Sequence, residues 1–365
     1  MDHVNFPYRS SSHLVFLHVV AESGGWEKHG LDVDYDKKIS STEAHRAVPL
    51  GEVEFVGGNH VSTYGHRARG DNWVYLGQTV NKVHSKLVVR PESGINGFAD
   101  LRGKVVGTRG SHPGLNDWLQ LKQRGLDVDR DDVQLVNMLT HKKGQMDDEG
   151  GGKEEDRLPL WHWVRDRKVD AALMTPPAHL FAEAAGLKVI DIDAMPMIWF
   201  TTVSSSLNFV ARHPDIVNRF IKGLIEGVHF FKTQPEKSIE IIQRRYTKEG
   251  HLNHAQATYI WQGLAPLLEP KLYPSMAAIA NVYEEAKRQD KDALKINPLE
   301  LWDTHHIRNI DDSGFVDALY GNAPLAAHKD AHDPEYKREK AKKQEAMIEA
   351  VKACGHLAGV DCDCH

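Results

Sequence analysis

The alternation of short apolar runs with helix-type patterns is the feature that most constrains the fold of this chain. Candidate strands recur through the first 210 positions, and helical patterns fit between most of them. The predicted strands are Val4–Tyr8, Leu31–Tyr35, Val53–Val56, Trp73–Leu76, Lys86–Val89, Val105–Gly107, Val133–Val136, Ala171–Met174 and Val189–Ile192. Strands that alternate with helices are typical of α/β architecture with largely parallel sheets.

A short internal repeat in the sequence favours two similar lobes. The sequence HGLDVD at 29–34 returns as RGLDVD at 124–129. In both copies a glycine is expected to end a helix, and alternating apolar residues follow it. After Pro214 the pattern becomes helical, because apolar residues recur at steps of three and four.

Composition narrows the function classes. A chain of 365 residues can hold two domains, and its net charge of −6 without a basic stripe argues against a nucleic-acid partner. The longest early apolar run, Leu14–Ala21, contains His18 and is too short to cross a bilayer. The N-terminus lacks the features of a secretory signal, so we expect a cytoplasmic location.

Five stretches in this order resemble the NMT1/THI5-like family and the aliphatic-sulfonate solute-binding proteins of the type II periplasmic class. They are AESGGWEKHGLDVDY (21–35), PLGEVEFVGGNHVSTYGHRARGDNW (49–73), FADLRGKVVGTRGSHPGLNDW (98–118), RKVDAALMTPPA (167–178) and ARHPDIVNRFIKGLIEGVHFFKTQPEKSIEIIQ (211–243). The resemblance implies a two-lobed α/β fold with a ligand cleft between the lobes and a helical C-terminal extension.

The resemblance also implies a division of the chain. Lobe one would combine residues 1–88 with 200–330, and lobe two would be residues 89–199 with a polar, glycine-rich insertion at 141–157. Residues 331–365 would form a charged helical tail that ends in a cysteine and histidine cluster.

Ligand contacts in this family come from loops at the carboxyl ends of strands, in agreement with the rule for open α/β sheets. Hydroxyl groups and helix N-termini in these loops suit an anionic group. The predicted substrate-binding residues are Ser11, Ser12, His13, Gly58, Asn59, Tyr64, Gly110, Ser111, Thr175 and Thr201. Asn59 is expected to cap a helix on which His60 and Tyr64 share one face.

Two functions remain open, because a fold does not determine an activity. The first is a cytoplasmic lyase-type enzyme for a small anionic, cyclic or aromatic substrate, such as a decarboxylase, a desulfinase or a pyrimidine-precursor synthase. His60 and His112 would then move protons. The second is the substrate-binding component of an ABC transporter for sulfonates, taurine or thiamine-precursor-like ligands. We favour the enzyme, and a homodimer is a candidate assembly.

The C-terminal tail has the chemistry of a metal site. Its thiolates and imidazoles suit zinc or iron, and the predicted ligands are Cys354, His356, Cys362, Cys364 and His365. The alternative is a disordered, redox-prone tail without metal, since the Cys-x-Cys spacing differs from that of zinc-finger knuckles. Iron or zinc is therefore the cofactor expected, if the protein has one.

Overall fold

The computed structural model describes residues 1–108, 117–137, 160–175, 178–247 and 251–321, together with Arg338 and Lys342. Its strands are β1 Asp2–Asn5, β2 Leu31–Asp34, β3 Phe55–Gly57, β4 Trp73–Val83, β5 Lys86–Val89, β6 Val105–Thr108, β7 Gln134–Asn137, β8 Ala171–Met174, β9 Lys188–Asp191 and β10 Met195–Ser206. This architecture confirms the predicted α/β class.

The helices surround these strands and dominate the chain after β10. They are α1 Leu14–Glu22, α2 Ser41–Leu50, α3 Thr63–Ala68, α4 Asp117–Gln123, α5 Leu160–Arg165, α6 Ala178–Ala184, α7 Leu207–Arg212, α8 Pro214–Thr233, α9 Pro235–Arg245, α10 His254–Leu264, α11 Met276–Gln289, α12 His305–Asp312 and α13 Phe315–Leu319. Among the residues described, no helix combines the length and the apolar character that crossing a membrane requires.

The strands form three sheets of mixed direction. Their orders are β1-β2, β3-β10-β4 and β7-β6-β8-β5-β9. β6 runs parallel to β7 and β8, whereas β5 is antiparallel to both of its neighbours. The prediction of largely parallel sheets was therefore wrong, since β10 also runs antiparallel to β3 and β4.

The five-stranded sheet is buried on both faces, and successive residues of β5 show this directly. Leu87 and Val89 pack into one apolar cluster, while Val88 between them packs into the cluster on the opposite face. Alternate side chains of a strand point to opposite faces, so a strand with both faces covered reads as a continuous apolar run.

Glycines set two features of the fold. Gly30 and Gly125 both adopt the left-handed conformation, with φ of 73° and 79°. The repeated HGLDVD and RGLDVD sequences therefore do contain equivalent turns. On α8, a Cβ at Gly227 would lie 2.5 Å from Val20, so only glycine allows α1 to approach this closely.

Residues Met1–Arg308 form one compact unit, and the chain from Asn309 onward forms another. The functional residues described below all lie in the first unit. The division of the chain into two lobes and a tail stays a prediction.

Candidate functional site

Two of the predicted ligand loops, residues 9–13 (the first loop) and residues 57–60 (the second loop), meet at the end of β3. The backbone N–H of Gly57 donates to the Pro7 carbonyl at 3.0 Å, and the N–H of Arg9 donates to the Gly57 carbonyl at 3.1 Å. These bonds place the segment after β1 beside the Gly57–Asn59 turn. His13, at the end of a short 3-10 turn, is buried there.

The Gly57–Asn59 turn has an unusual backbone that its neighbours hold in place. Gly58 has φ of 129° and Asn59 has φ of 60°. The N–H of Gly58 donates to the Thr202 carbonyl at 3.0 Å, and the Ser204 hydroxyl donates to the Gly58 carbonyl at 2.8 Å. A backbone so far from ordinary strand geometry is typical of functional sites.

Four buried polar atoms around this turn have no hydrogen-bond partner among the described residues. They are Nδ1 of His13, both amide atoms of Asn59 and the hydroxyl oxygen of Thr201. His13 and Thr201 flank the same glycine, because a Cβ on Gly57 would lie 3.5 Å from each. We call His13, Asn59, His60 and Thr201 the turn cluster.

The unpartnered atoms of the turn cluster carry a free-energy penalty. A buried polar group without a partner costs about 1–3 kcal/mol, so proteins seldom retain several of them in one place. A polar ligand that hydrogen-bonds to these atoms would recover that energy. The turn cluster is thus chemically suited to bind a small molecule.

A chain of hydrogen bonds fixes the tautomer of His60. The Gln78 amide nitrogen donates to the carbonyls of Val80 and Trp199, at 2.6 and 2.5 Å, so its oxygen faces the Thr202 hydroxyl. That hydroxyl donates to Gln78 at 2.6 Å and lies 2.8 Å from Nδ1 of His60.

Because the Thr202 hydroxyl has already given its hydrogen to Gln78, it must accept from His60. Nδ1 of His60 therefore carries the proton. In a neutral imidazole the other ring nitrogen, Nε2, is then an acceptor. Nε2 of His60 can therefore accept a hydrogen bond from a ligand but cannot donate one.

Both histidines of the turn cluster are neutral near pH 7. Burial, together with the charges of His60 and Arg9, lowers the pKa of His13 to about 3. Burial also lowers the pKa of His60 to about 4, with Arg9 again contributing. The fixed positive charge here therefore comes from Arg9, whose guanidinium donates to the Ile39 carbonyl.

Phe200 supplies an aromatic surface beside the turn cluster. Its ring centroid lies 5.3 Å from that of His13 and 6.3 Å from that of Phe16. Its backbone φ is 65°, which a residue with a Cβ rarely adopts. The register of β10 against β4 shifts between Trp199 and Thr202, so Phe200 lies in a bulge.

The other predicted site residues fall in different surroundings. Ser11 and Ser12 belong to the first loop with His13, and Ser12 lies 3.0 Å from the Ser10 hydroxyl. Thr175 is half-buried after β8, in the five-stranded sheet. Eight predicted residues lie outside the described part of the chain: Gly110, Ser111, His112, Cys354, His356, Cys362, Cys364 and His365. The insertion at 141–157 also lies outside it.

The predicted helix after Asn59 begins later than expected. α3 starts at Thr63, and the Thr63 hydroxyl donates to the Asn59 carbonyl at 2.7 Å. Asn59 therefore does not cap the helix with its side chain, and His60 precedes it. Tyr64 is buried in the apolar core, 5.5 Å from the Tyr283 ring, so it does not share a face with His60.

Sequence reasoning missed Arg9, Gln78 and Thr202. Gln78 and Thr202 are fully buried polar residues in strands, and apolar periodicity does not detect such positions. A signal was present, however. Gln78 follows closely on the apolar run Trp73–Leu76 in the same strand, and a buried polar side chain there requires a partner.

Comparison with known proteins supports the resemblance. The model of the family described as NMT1/THI5 like matches residues 13–149. A relative from Brucella abortus, described provisionally as a binding protein, is 25% identical over 232 residues. That match covers 61% of this chain, and the chain spans only 65% of the relative's length.

Solved structures confirm the type II periplasmic-binding-protein fold. The alkanesulfonate-binding protein SsuA from Xanthomonas axonopodis pv. citri, bound to MOPS, has a TM-score of 0.60 at 13% identity; the match covers 83% of this chain and 99% of SsuA. A mutant of DSZB in complex with biphenyl-2-sulfinic acid has a TM-score of 0.58 at 17% identity; the match covers 84% of this chain and 98% of DSZB. DSZB is described as a desulfurization enzyme. One fold thus serves a binding protein and an enzyme.

Proposed function

We propose that this chain, an NMT1/THI5-like protein with the type II periplasmic-binding-protein fold, is a solute-binding protein that delivers a small organic anion to an ABC transporter. The observation that carries the proposal is the set of unpartnered buried atoms on His13, Asn59 and Thr201. Binding requires only that a ligand satisfy these atoms.

The charges and hydrogen-bonding groups at the turn cluster define the ligand. Arg9 provides a positive charge next to two neutral imidazoles, which favours an acidic group such as a sulfonate or a carboxylate. Nε2 of His60 is an acceptor and favours an O–H or N–H group elsewhere on the ligand. Phe200 offers an aromatic surface for an apolar part.

An enzyme is the second candidate, because two histidines lie together in the cluster and DSZB has a similar fold. Proton transfer at neutral pH is most effective when the pKa of the catalytic group lies near 7. His13 and His60, with pKa values of about 3 and 4, are weak bases. These low pKa values favour binding over the general acid–base role predicted for His60.

The cellular location distinguishes the two functions. Delivery to an importer requires a position outside the cytoplasmic membrane, whereas the predicted cytoplasmic location suits an enzyme. Fractionation of cells that express the native gene measures this directly. Recovery in the cytoplasmic fraction would contradict delivery to a transporter.

The binding test uses calorimetric titration with taurine, alkanesulfonates, aromatic sulfinates and aromatic carboxylates. We expect saturable binding of at least one of these compounds, with no product detected by chromatography after long incubation. Turnover of any compound would instead support the enzyme.

Thr201→Val tests the site itself. It removes a buried hydroxyl that has no partner among the described residues, so the free energy of unfolding should stay the same or rise. The affinity for the bound compound should nevertheless fall. Thr258→Val is the matched control, because that hydroxyl donates to the His254 carbonyl within α10. Equal affinities in the two variants would refute the assigned role of Thr201.

A further inference from the structure

A second group of chemically active side chains lies far along the sequence from the turn cluster. Asp303, His305 and His306 precede or begin α12, and one ligand atom from each lies within 4.8 Å of the others. The N–H of Asp303 donates to the Tyr75 carbonyl at 2.9 Å. This bond fixes the segment against β4.

His306 has the environment of a metal-binding histidine. It is 1% exposed, and its Nδ1 lies 2.8 Å from the side-chain oxygen of Asn218. Since that oxygen only accepts, Nδ1 carries the proton and Nε2 has the lone pair. Nε2 is buried and has no hydrogen-bond partner among the described residues.

A turn just before α12 explains part of this arrangement but not all of it. Oδ1 of Asp303 accepts from the N–H of His305 at 3.1 Å, and Nδ1 of His305 contacts the same oxygen. An aspartate that accepts from the backbone two residues on needs no further ligand. The buried Nε2 of His306, however, has no role in this turn. Metal-bound histidines often have the other nitrogen held by an oxygen in this way.

We propose that Asp303, His305 and His306 bind a divalent transition-metal ion of the zinc type. Two imidazoles and one carboxylate are a common ligand set for such ions, and water completes the coordination. The ion would join the start of α12 to the segment held by β4. The proposed ligands are different residues from those of the ligand-binding proposal and from those predicted to bind metal in the C-terminal tail.

The test is a calorimetric titration of the full chain with Zn²⁺. Cys354→Ser, Cys362→Ser and Cys364→Ser are combined in one background variant, so that the tail thiolates do not compete. We expect one equivalent of Zn²⁺ to bind in this background. Loss of all binding in the background would assign the metal to the tail and overturn the proposal.

Two further substitutions in that background locate the site. Asp303→Asn keeps an oxygen that can accept from the His305 N–H but removes the charge, and His305→Ala alters an exposed side chain. Each should weaken Zn²⁺ binding at least about tenfold. His254→Ala, at an exposed histidine of α10, is the control and should leave the affinity unchanged.

Cobalt gives an independent readout of the same site. Co²⁺ bound by the three side chains should produce visible absorption bands that are absent in Asp303→Asn and His305→Ala. If both variants bind Zn²⁺ and Co²⁺ as the background does, the proposal is refuted.

Discussion

His60 and Thr202 are joined by a hydrogen bond of 2.8 Å between Nδ1 of the imidazole and the hydroxyl oxygen. The Thr202 hydroxyl donates its own hydrogen to Gln78, so in the bond with His60 the imidazole Nδ1–H is the donor and the hydroxyl oxygen the acceptor. A buried glutamine in β4 thereby determines which nitrogen of a histidine in the second loop can accept from a ligand.

Thr202→Val should release this control of the His60 tautomer. Without the hydroxyl, Nδ1 loses its acceptor, so ¹⁵N NMR of the ring should show a larger fraction protonated at Nε2. Thr79→Val is the matched control, because its buried hydroxyl donates to the Thr201 carbonyl and does not contact His60. An unchanged tautomer in Thr202→Val would refute the proposed chain of hydrogen bonds.

Strands with apolar side chains were predictable from the sequence. The bounds of Lys86–Val89 and Ala171–Met174 agree with the structure, because both runs are buried and end at polar residues or turns. The predicted strand Trp73–Leu76 proved to be the first third of β4. Beyond Leu76 the strand continues through Gln78 and Thr79, which are buried. Because their side chains are polar, the apolar pattern that predicts a strand ends before them.

The candidate site was harder to predict for the same reason. β10 ends in TTVSSS, which reads as a polar loop although all six residues are buried. A buried hydroxyl is tolerated where it donates to a backbone carbonyl. The Ser205 hydroxyl, for example, donates to the Glu54 carbonyl at 2.7 Å. Such pairing depends on residues that lie far apart in sequence, so local patterns do not reveal it.

His13 should make the protein less stable in mild acid. The unfolded chain takes up a proton on this histidine near pH 6.5, whereas the folded chain does so only near its pKa of about 3. The stability contribution is present above pH 6.5 and is lost as pH falls toward 3. At pH 5 the loss is about 2 kcal/mol.

His13→Gln tests this assignment. The free energy of unfolding is measured with urea at pH 7.5 and at pH 5. Its decrease between these two pH values should be about 2 kcal/mol smaller in His13→Gln than in the wild type. His45 and His60 also have lowered pKa values, so some pH dependence will remain. His254→Gln, at an exposed position, should behave as the wild type. An equal pH dependence in His13→Gln and wild type would contradict the prediction.

Gly58→Ala should impair ligand binding through Arg9. An added Cβ would lie 2.7 Å from Cγ of Arg9, so the arginine side chain must move away from the turn cluster. Gly70→Ala is the control, since its φ of 101° is also strained for alanine but nothing lies within 4 Å of its Cβ. Titration with the bound compound should show weaker binding only in Gly58→Ala. Similar affinities in both variants would refute the role of Arg9.

Phe200 provides a test of backbone strain at the bulge in β10. Both Phe200→Ala and Phe200→Gly remove the ring, but only glycine relieves the strain of φ at 65°. The free energy of unfolding should therefore be about 1 kcal/mol higher for the glycine variant than for the alanine variant.

Val203, a buried strand residue of the same β10, is the control position. There the order should reverse, because glycine within a strand lowers stability by about 0.5–1 kcal/mol relative to alanine. Urea denaturation of the four variants measures both differences, and an alanine variant more stable than glycine at position 200 would contradict the strained conformation.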